Sequence, residues 1–323
     1  IYNDEAGALH GNSPFQTVWL PDEVRDSYLE RVQATAAKTG RSFSAPVVFE
    51  GNVPADVREN QPLRQLLEEG KTFTDFPRIW LGAPNSIKGP TEVAFHRQSG
   101  NHLLIVGQNE EAVLTIFATG LLALSRQGTG RIIVFDGNPN GSPEREYLDR
   151  VAQSSPGNIS IAKAGDLAGV TNELVAEMKR RQENEGSSDV PALFLLIQGL
   201  QKFSKLRYED DFSFSSDESE TANPSKQLNA LICEGASVGI HVIASLDSYN
   251  NVNRFLSKKA LSEFGLRVVF QMSANDSASL IDNPKASTLG MHRAIFFNEQ
   301  EGQLETFRPY ALPSAEWISG SGV

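Results

Sequence analysis

Four short runs constrain this chain more than anything else in it: LLIV at Leu103–Val106, IIVF at Ile132–Phe135, LFLLI at Leu193–Ile197 and HVIA at His241–Ala244. A strand with one wet face alternates apolar and polar residues. A nearly unbroken apolar run suits a strand covered on both faces, as in a parallel sheet flanked by helices. Helical patterns lie between the runs, at Glu111–Arg126, Pro143–Gln153, Asp166–Glu183 and Pro224–Gly235. Further strands are expected at Arg78–Leu81, Thr91–Phe95, Ser160–Ala162, Arg267–Gln271 and Arg293–Phe297, and short helices at Asn251–Leu256 and Asp276–Ile281. The alternation predicts an α/β, doubly wound fold with a mostly parallel central sheet.

The pattern begins near Ile79. The chain therefore divides into a small α/β leading segment, residues 1–76, and a main domain, residues 77–323. The leading segment reads as a strand at Phe15–Leu20, a helix opened by Pro21 and Asp22 and stopped by Gly40, a strand at Pro46–Phe49, and a helix at Leu63–Glu69. Within the main domain, residues 208–224 read as a flexible acidic loop; YEDDFSFSSDESE at Tyr208–Glu220 carries six acids and four serines.

One junction has the layout of a phosphate-binding loop. LLIV ends at Gly107, a polar stretch follows, and an apolar helix comes next. Backbone N–H groups and a helix N-terminus at such a turn favour an anion. The working motif is GxxxxGK followed by Ser or Thr. Here Gly107, Gln108, Asn109, Glu110, Glu111, Ala112, Val113 and Leu114 fill its eight positions. Ala112 stands for the second Gly, Val113 for the Lys and Leu114 for the magnesium-binding hydroxyl. Glu110 and Glu111 add the wrong charge: one Glu about 6 Å from a phosphate charge, at an effective dielectric of about 20, is repelled by roughly 2–3 kcal/mol.

Composition narrows the remaining classes. No apolar run is long enough to span a bilayer, and the sequence fits a cytoplasmic protein. One cysteine, Cys233, excludes an internal disulfide framework, and the five histidines show no metal-ligand spacing. A net charge of −11 argues against a broad nucleic-acid surface.

Several segments in order resemble the FtsK/SpoIIIE branch of the HerA–FtsK ATPases. IWLGAPNSIKGPTEVAFHRQSGNHLLIVG is similar to that family's hairpin and P-loop strand, and ELVAEMKRRQEN to the helix before the Walker B strand. ALFLLIQGL falls where the family has a strand ending in Asp. QLNALICEGASVGIHVIAS resembles the stretch into the sensor strand, and RVVFQMSANDSASLID the segment leading through Leu289–Gly290 to a last hairpin. The resemblance implies a RecA-like P-loop NTPase fold and a parent ring of several modules, in a DNA translocase or a type VII secretion ATPase. The opening on Ile1 and a leading segment like the tail of a preceding module suggest a piece of a longer chain, whose parent is tethered to a membrane through a missing segment.

The departures fall on the catalytic positions. Set beside that family, Gln198 replaces the Walker B Asp, Gly199 the following Glu, and Asp247 the Gln that the sensor strand usually offers to the γ-phosphate. Phosphoryl transfer depends on positioning and charge neutralisation, and these groups are absent. The expectation is a degenerate module with no catalytic residues, no metal and no cofactor. Its partners would be other ATPase modules of the same chain or ring, with DNA or a protein substrate as cargo. Two alternatives stand beside it: an active DNA translocase module using ATP and magnesium, and a peptide-binding module as in type VII secretion ATPases.

Other residues carry plainer readings. Asp136 and Asn138 form an Asx turn or face a ligand at a strand end. His241 is a packed histidine and Cys233 a buried apolar residue. Lys179, Arg180 and Arg181 form a solvated helix face or a subunit contact. Arg254, Lys258 and Lys259 form a surface basic patch.

Overall fold

The four residues of LLIV lie in the interior of the sheet, on a strand covered on both faces. A computed structural model describes residues 17–40, 52–69, 76–86, 88–184, 190–208 and 223–320. In it the run becomes a strand, Leu103–Val106, with every residue buried. The strands in chain order are β1 (Arg78–Pro84), β2 (Thr91–Ala94), β3 (Leu103–Val106), β4 (Arg131–Asp136), β5 (Asn158–Ala162), β6 (Leu193–Gln198), β7 (Ile240–Leu246), β8 (Leu266–Val269), β9 (Ala294–Asn298) and β10 (Gln303–Pro309). They form one ten-stranded sheet in the order β2-β1-β10-β9-β8-β3-β7-β6-β4-β5. From β8 to β5 all neighbours are parallel. The β9, β10, β1 and β2 edge is antiparallel.

Alternate residues of the central strands enter two separate cores. Leu103, Ile105, Ile132, Val134, Phe194 and Leu196 pack with α2 (Gln61–Glu69), α3 (Glu110–Arg126) and α4 (Pro143–Ser154). Leu104, Val106, Ile133, Phe135, Leu195 and Ile197 pack on the opposite face with α5 (Leu167–Glu183), α6 (Pro224–Glu234) and the helices that follow. That is why the runs lack polar residues: both sides of the pleat are dry.

The chain divides into two units, residues 1–50 and 51–323. This boundary precedes the one at 76/77 read from the sequence, because Leu63, Leu66 and Leu67 of α2 are buried in the same core as α3. In the first unit the described residues hold one helix, α1 (Asp22–Lys38), with no buried residue. Thr17–Leu20 form no strand, contrary to expectation. The expected strand at Pro46–Phe49 lies outside the described residues, as do residues 209–222 of the acidic loop. Among the described residues no helix is long and apolar enough to cross a membrane. The sequence reading also missed α8 (Lys258–Ser262) and α10 (Ala315–Gly320), too short to show periodicity, and gave no bounds for β10.

Two histidines sit at the amino ends of β3 and β7, both fully buried. His102 donates from Nε2 to the Ile232 carbonyl and accepts at Nδ1 from the Val242 N–H, each at 2.9 Å. His241 donates from Nδ1 to the Asn101 carbonyl at 2.9 Å and stacks on Phe194, with centroids 5.3 Å apart. Burial pushes their pKa values down, to about 4 for His102 and about 3 for His241. An unfolded histidine titrates near 6.5, so between pH 6.5 and 4 the unfolded chain binds more protons. The neutral rings therefore contribute full stability above about pH 6.5 and lose it as pH falls through that window. His241→Phe should remove one proton from this dependence, lowering the slope of unfolding free energy against pH by about 1.4 kcal/mol per unit. Denaturant unfolding at several pH values between 7 and 4.5 measures it; an unchanged slope would refute the assignment.

Candidate functional site

In a parallel sheet all carboxyl ends face the same way, and the connections leaving them meet along one edge. Here those are the connections after β3, β4, β6 and β7. Gly107 N–H donates to the Leu246 carbonyl at 3.0 Å, and Phe270 N–H to the Val106 carbonyl at 3.0 Å, prolonging both ladders beside β3. Gly107 then turns the chain at φ 142°, and a Cβ there would lie 2.6 Å from the Phe270 Cβ. Only glycine fits this turn.

The turn is short. Helix α3 begins at Glu110, with Asn109 as its N-cap; the Asn109 side chain accepts from Ala112 N–H at 3.1 Å. Gly107, Gln108 and Asn109 alone link strand to helix, and five of the eight motif positions, Glu110–Leu114, are helical. Ala112, Val113 and Leu114 are buried. The cause is local. Asn is a strong N-cap, and two glutamates in the first turn complement the positive end of the helix dipole. The end of the helix that would hold a phosphate already carries its own anions.

At the end of β6, Gln198 is 8% exposed and pairs in register with Asp136 of β4. Its Oε1 has no hydrogen-bond partner. Gly199 adopts φ 72°, and its N–H donates to Ser245 Oγ at 2.8 Å. Asp247 follows β7; its Oδ1 accepts from Ser248 Oγ at 2.9 Å and Asn251 Nδ2 at 2.7 Å, within the first turn of α7 (Tyr249–Phe255).

Gly107, Gln108, Glu110, Val113, Gln198, Gly199 and Asp247 line one cavity of about 380 Å³. The other motif residues do not face it. Asn109, Glu111 and Ala112 line a second cavity of about 460 Å³ with Phe270, Met291 and Tyr310, while Leu114 is in the core. Sequence reasoning missed Glu144, Gln201 and Lys202, which also line the first cavity. No local motif marks them; Gln201 and Lys202 lie in a 3-10 turn just after β6.

Asp136 and Asn138 form the expected turn. Asn138 N–H donates to Asp136 Oδ1 at 2.9 Å in an Asx turn, and Asn138 also lines the cavity. Burial raises the Asp136 pKa, opposed by that hydrogen bond and by the charges of Arg145 and Lys202. Its Oδ2 has no partner. No cluster of His, Cys, Asp or Glu able to hold a metal occurs among the described residues.

Two expectations outside the site need correction. Arg181 is buried, not part of a solvated face: its guanidinium bonds Glu177 and the carbonyls of Val238, Gly239 and Pro191, because a donor this rich can satisfy several chain ends at once. Arg180 and Arg181 together draw the Glu177 pKa to about 2. Cys233 is only half-buried. Arg254, Lys258 and Lys259 are exposed, as expected.

No protein-family profile matches the chain, and no curated protein matches it. Solved structures do. The cytoplasmic domain of the Thermomonospora curvata type VII secretion ATPase EccC is similar at 15% identity and a TM-score of 0.51, over 73% of this chain and 28% of that one. The pCW3 conjugation coupling protein TcpA, in its monomer form with ATPγS, is similar at 15% identity and 0.57, over 93% of this chain and 86% of that one. EccC ATPases 2 and 3 from Thermomonospora curvata, in complex with a signal sequence peptide, are similar at 17% identity and 0.57, over 89% and 49%. The chain thus spans 28% and 49% of the two EccC structures. At such identities the likeness is one of fold. The RecA-like α/β architecture that the sequence resemblance implied is the one observed.

Gly107→Ala should destabilise the chain by about 1–3 kcal/mol, since it combines a left-handed φ with a clash against Phe270. A melting temperature equal to that of the unmodified chain would show that the turn relaxes freely.

Proposed function

We propose that this chain is a catalytically degenerate FtsK/SpoIIIE-like module, acting as a structural, regulatory or partner-binding part of a larger translocation or secretion motor. The observation that carries the reading is the charge of the first cavity. Three carboxylates, Glu110, Glu144 and Asp247, and one amine, Lys202, line it. Nucleotide phosphates would enter a site of net negative charge, with no Lys in the loop and no carboxylate at Gln198 to hold magnesium. Solvent screens the two glutamates, which are exposed, but screening cannot reverse their sign.

The loop geometry supports the same reading from a separate direction. An early-starting helix uses Ala112 N–H for its own cap and Val113 N–H for its first internal bond to the Asn109 carbonyl. Those donors are unavailable to an anion without unwinding the first turn.

The partners proposed are neighbouring modules of the same chain or ring, and DNA or a secreted protein as cargo of the parent. Support comes from the multi-ATPase neighbours, one of which is described with a signal sequence peptide.

Titration calorimetry with magnesium and ATP should show no saturable heat, and phosphate release should match the buffer blank. Micromolar binding that requires magnesium would refute the proposal and favour an active translocase module.

A further inference from the structure

The chain leaves β4 for α4 through DGNPNG, Asp136–Gly141. Three times in this run an Asp or Asn side chain stands beside the backbone nitrogen of the next residue. Such a nitrogen can attack the side-chain carbonyl carbon and close a five-membered imide. Closure needs a nitrogen able to lose its proton, a carbon within its reach, and access for water.

The structure separates the three places. Asp136 is 5% exposed, and its Oδ1 accepts from Asn138 N–H at 2.9 Å. Gly137 N–H donates to the Gln198 carbonyl at 2.9 Å, so attack there would break the bond that prolongs the β4–β6 ladder. Asn138 precedes Pro139, whose nitrogen carries no hydrogen. Asn140 and Gly141, the only Asn-Gly pair in the chain, are both exposed. They are the middle residues of a turn that Ser142 N–H closes on the Pro139 carbonyl at 3.1 Å. Gly141 has φ 76°, and nothing lies within 4 Å of the place a Cβ would take. Ring closure there meets neither a side chain nor a neighbouring element.

We propose that Asn140 is a modification site, which deamidates in the folded chain by reaction with Gly141 and water. A base removes the Gly141 amide proton, and the nitrogen bonds to Asn140 Cγ. The bond from Cγ to Nδ2 breaks, and Nδ2 takes a proton from water and leaves as ammonia. Water then opens the imide. Cleavage at Cγ gives aspartate, and cleavage at the main-chain carbonyl gives isoaspartate.

Either product adds a carboxylate to the loop joining Asn138 to Glu144, which both line the first cavity. The new charge stands two residues before Ser142, the N-cap of α4, where the helix dipole favours an anion. The aspartate form therefore keeps α4, whereas isoaspartate puts an extra methylene into the turn. The modification is independent of what the cavity holds.

The whole 323-residue chain is incubated at pH 6 and at pH 9, in buffer and in concentrated guanidinium chloride, then digested with trypsin. In buffer, the Ile132–Arg145 peptide should gain the amide-to-acid mass increment before any other Asn-containing peptide. The gain should be about tenfold or more faster at pH 9 than at pH 6, because the attacking nitrogen must lose a proton. Electron-transfer fragmentation should place isoaspartate at position 140 and none at 136; in guanidinium chloride Asp136 should isomerise as well. Asn140→Gln, whose longer side chain would need a six-membered ring, should show no gain over the same period. Gly141→Ala should slow the reaction by about tenfold or more, by placing a Cβ beside the nitrogen. Asn140→Asp should melt at the temperature of the unmodified chain.

No gain at pH 9, a gain that maps to Asn138, or one that survives Asn140→Gln would overturn the proposal. Isoaspartate at position 136 in the folded chain would overturn the structural selection of Asn140. A lowered melting temperature for Asn140→Asp would overturn the tolerance of α4 for the new charge.

Discussion

The dry burial of β3 between β7 and β8 governs everything else in the main unit. Leu103–Val106 pair with Ile243–Leu246 on one side and Leu266–Val269 on the other, both parallel. Because the pairs are parallel, their carboxyl ends stand in one row, and the continuing bonds from Gly107 to Leu246 and from Phe270 to Val106 bind that row together. The two neighbours come from late in the chain, so the site exists only once residues more than a hundred positions apart have paired.

The first turn of α3 decides what the row can hold. A helix N-terminus offers a partial positive charge, and the chain can leave it for a ligand or neutralise it internally. Asn109, Glu110 and Glu111 neutralise it internally. Capping contributes about 1 kcal/mol and each acid about 0.3–1 kcal/mol, so the helical start is favoured locally before any tertiary contact is made. The buried Ala112, Val113 and Leu114 then lock it by packing into the core below. A turn of three residues followed directly by helix is the expected result of these two small energies acting in the same direction.

Much of the architecture was legible because burial on both faces leaves a pattern in the sequence. The apolar runs named the central strands to within a residue or two, and the 17-residue helix α3 matched its periodic stretch. What stayed hidden lacks a local signature. The Arg181 anchor looked like one more charge in a basic run, since only the positions of Val238, Gly239 and Pro191 reveal that carbonyls surround it. Helix α2 looks detached in sequence, whereas Leu63 and Leu66 complete the core under α3.

By itself, the sequence determined the strand–helix alternation and the residue types at Val113 and Gln198. These are matters of residue type and periodicity, and neither depends on contacts. Only the tertiary structure decided that Gln198 and Asp247 face one cavity, that Glu111 and Ala112 face another, and that Glu110 borders both. It also brought in Glu144, Gln201 and Lys202, which no motif announces. The reason is geometric: a helix turns each successive residue about 100° from the last, and parallel pairing sets which strand ends are neighbours. Net charge in a cavity is a property of that neighbourhood, and no reading of separate segments contains it.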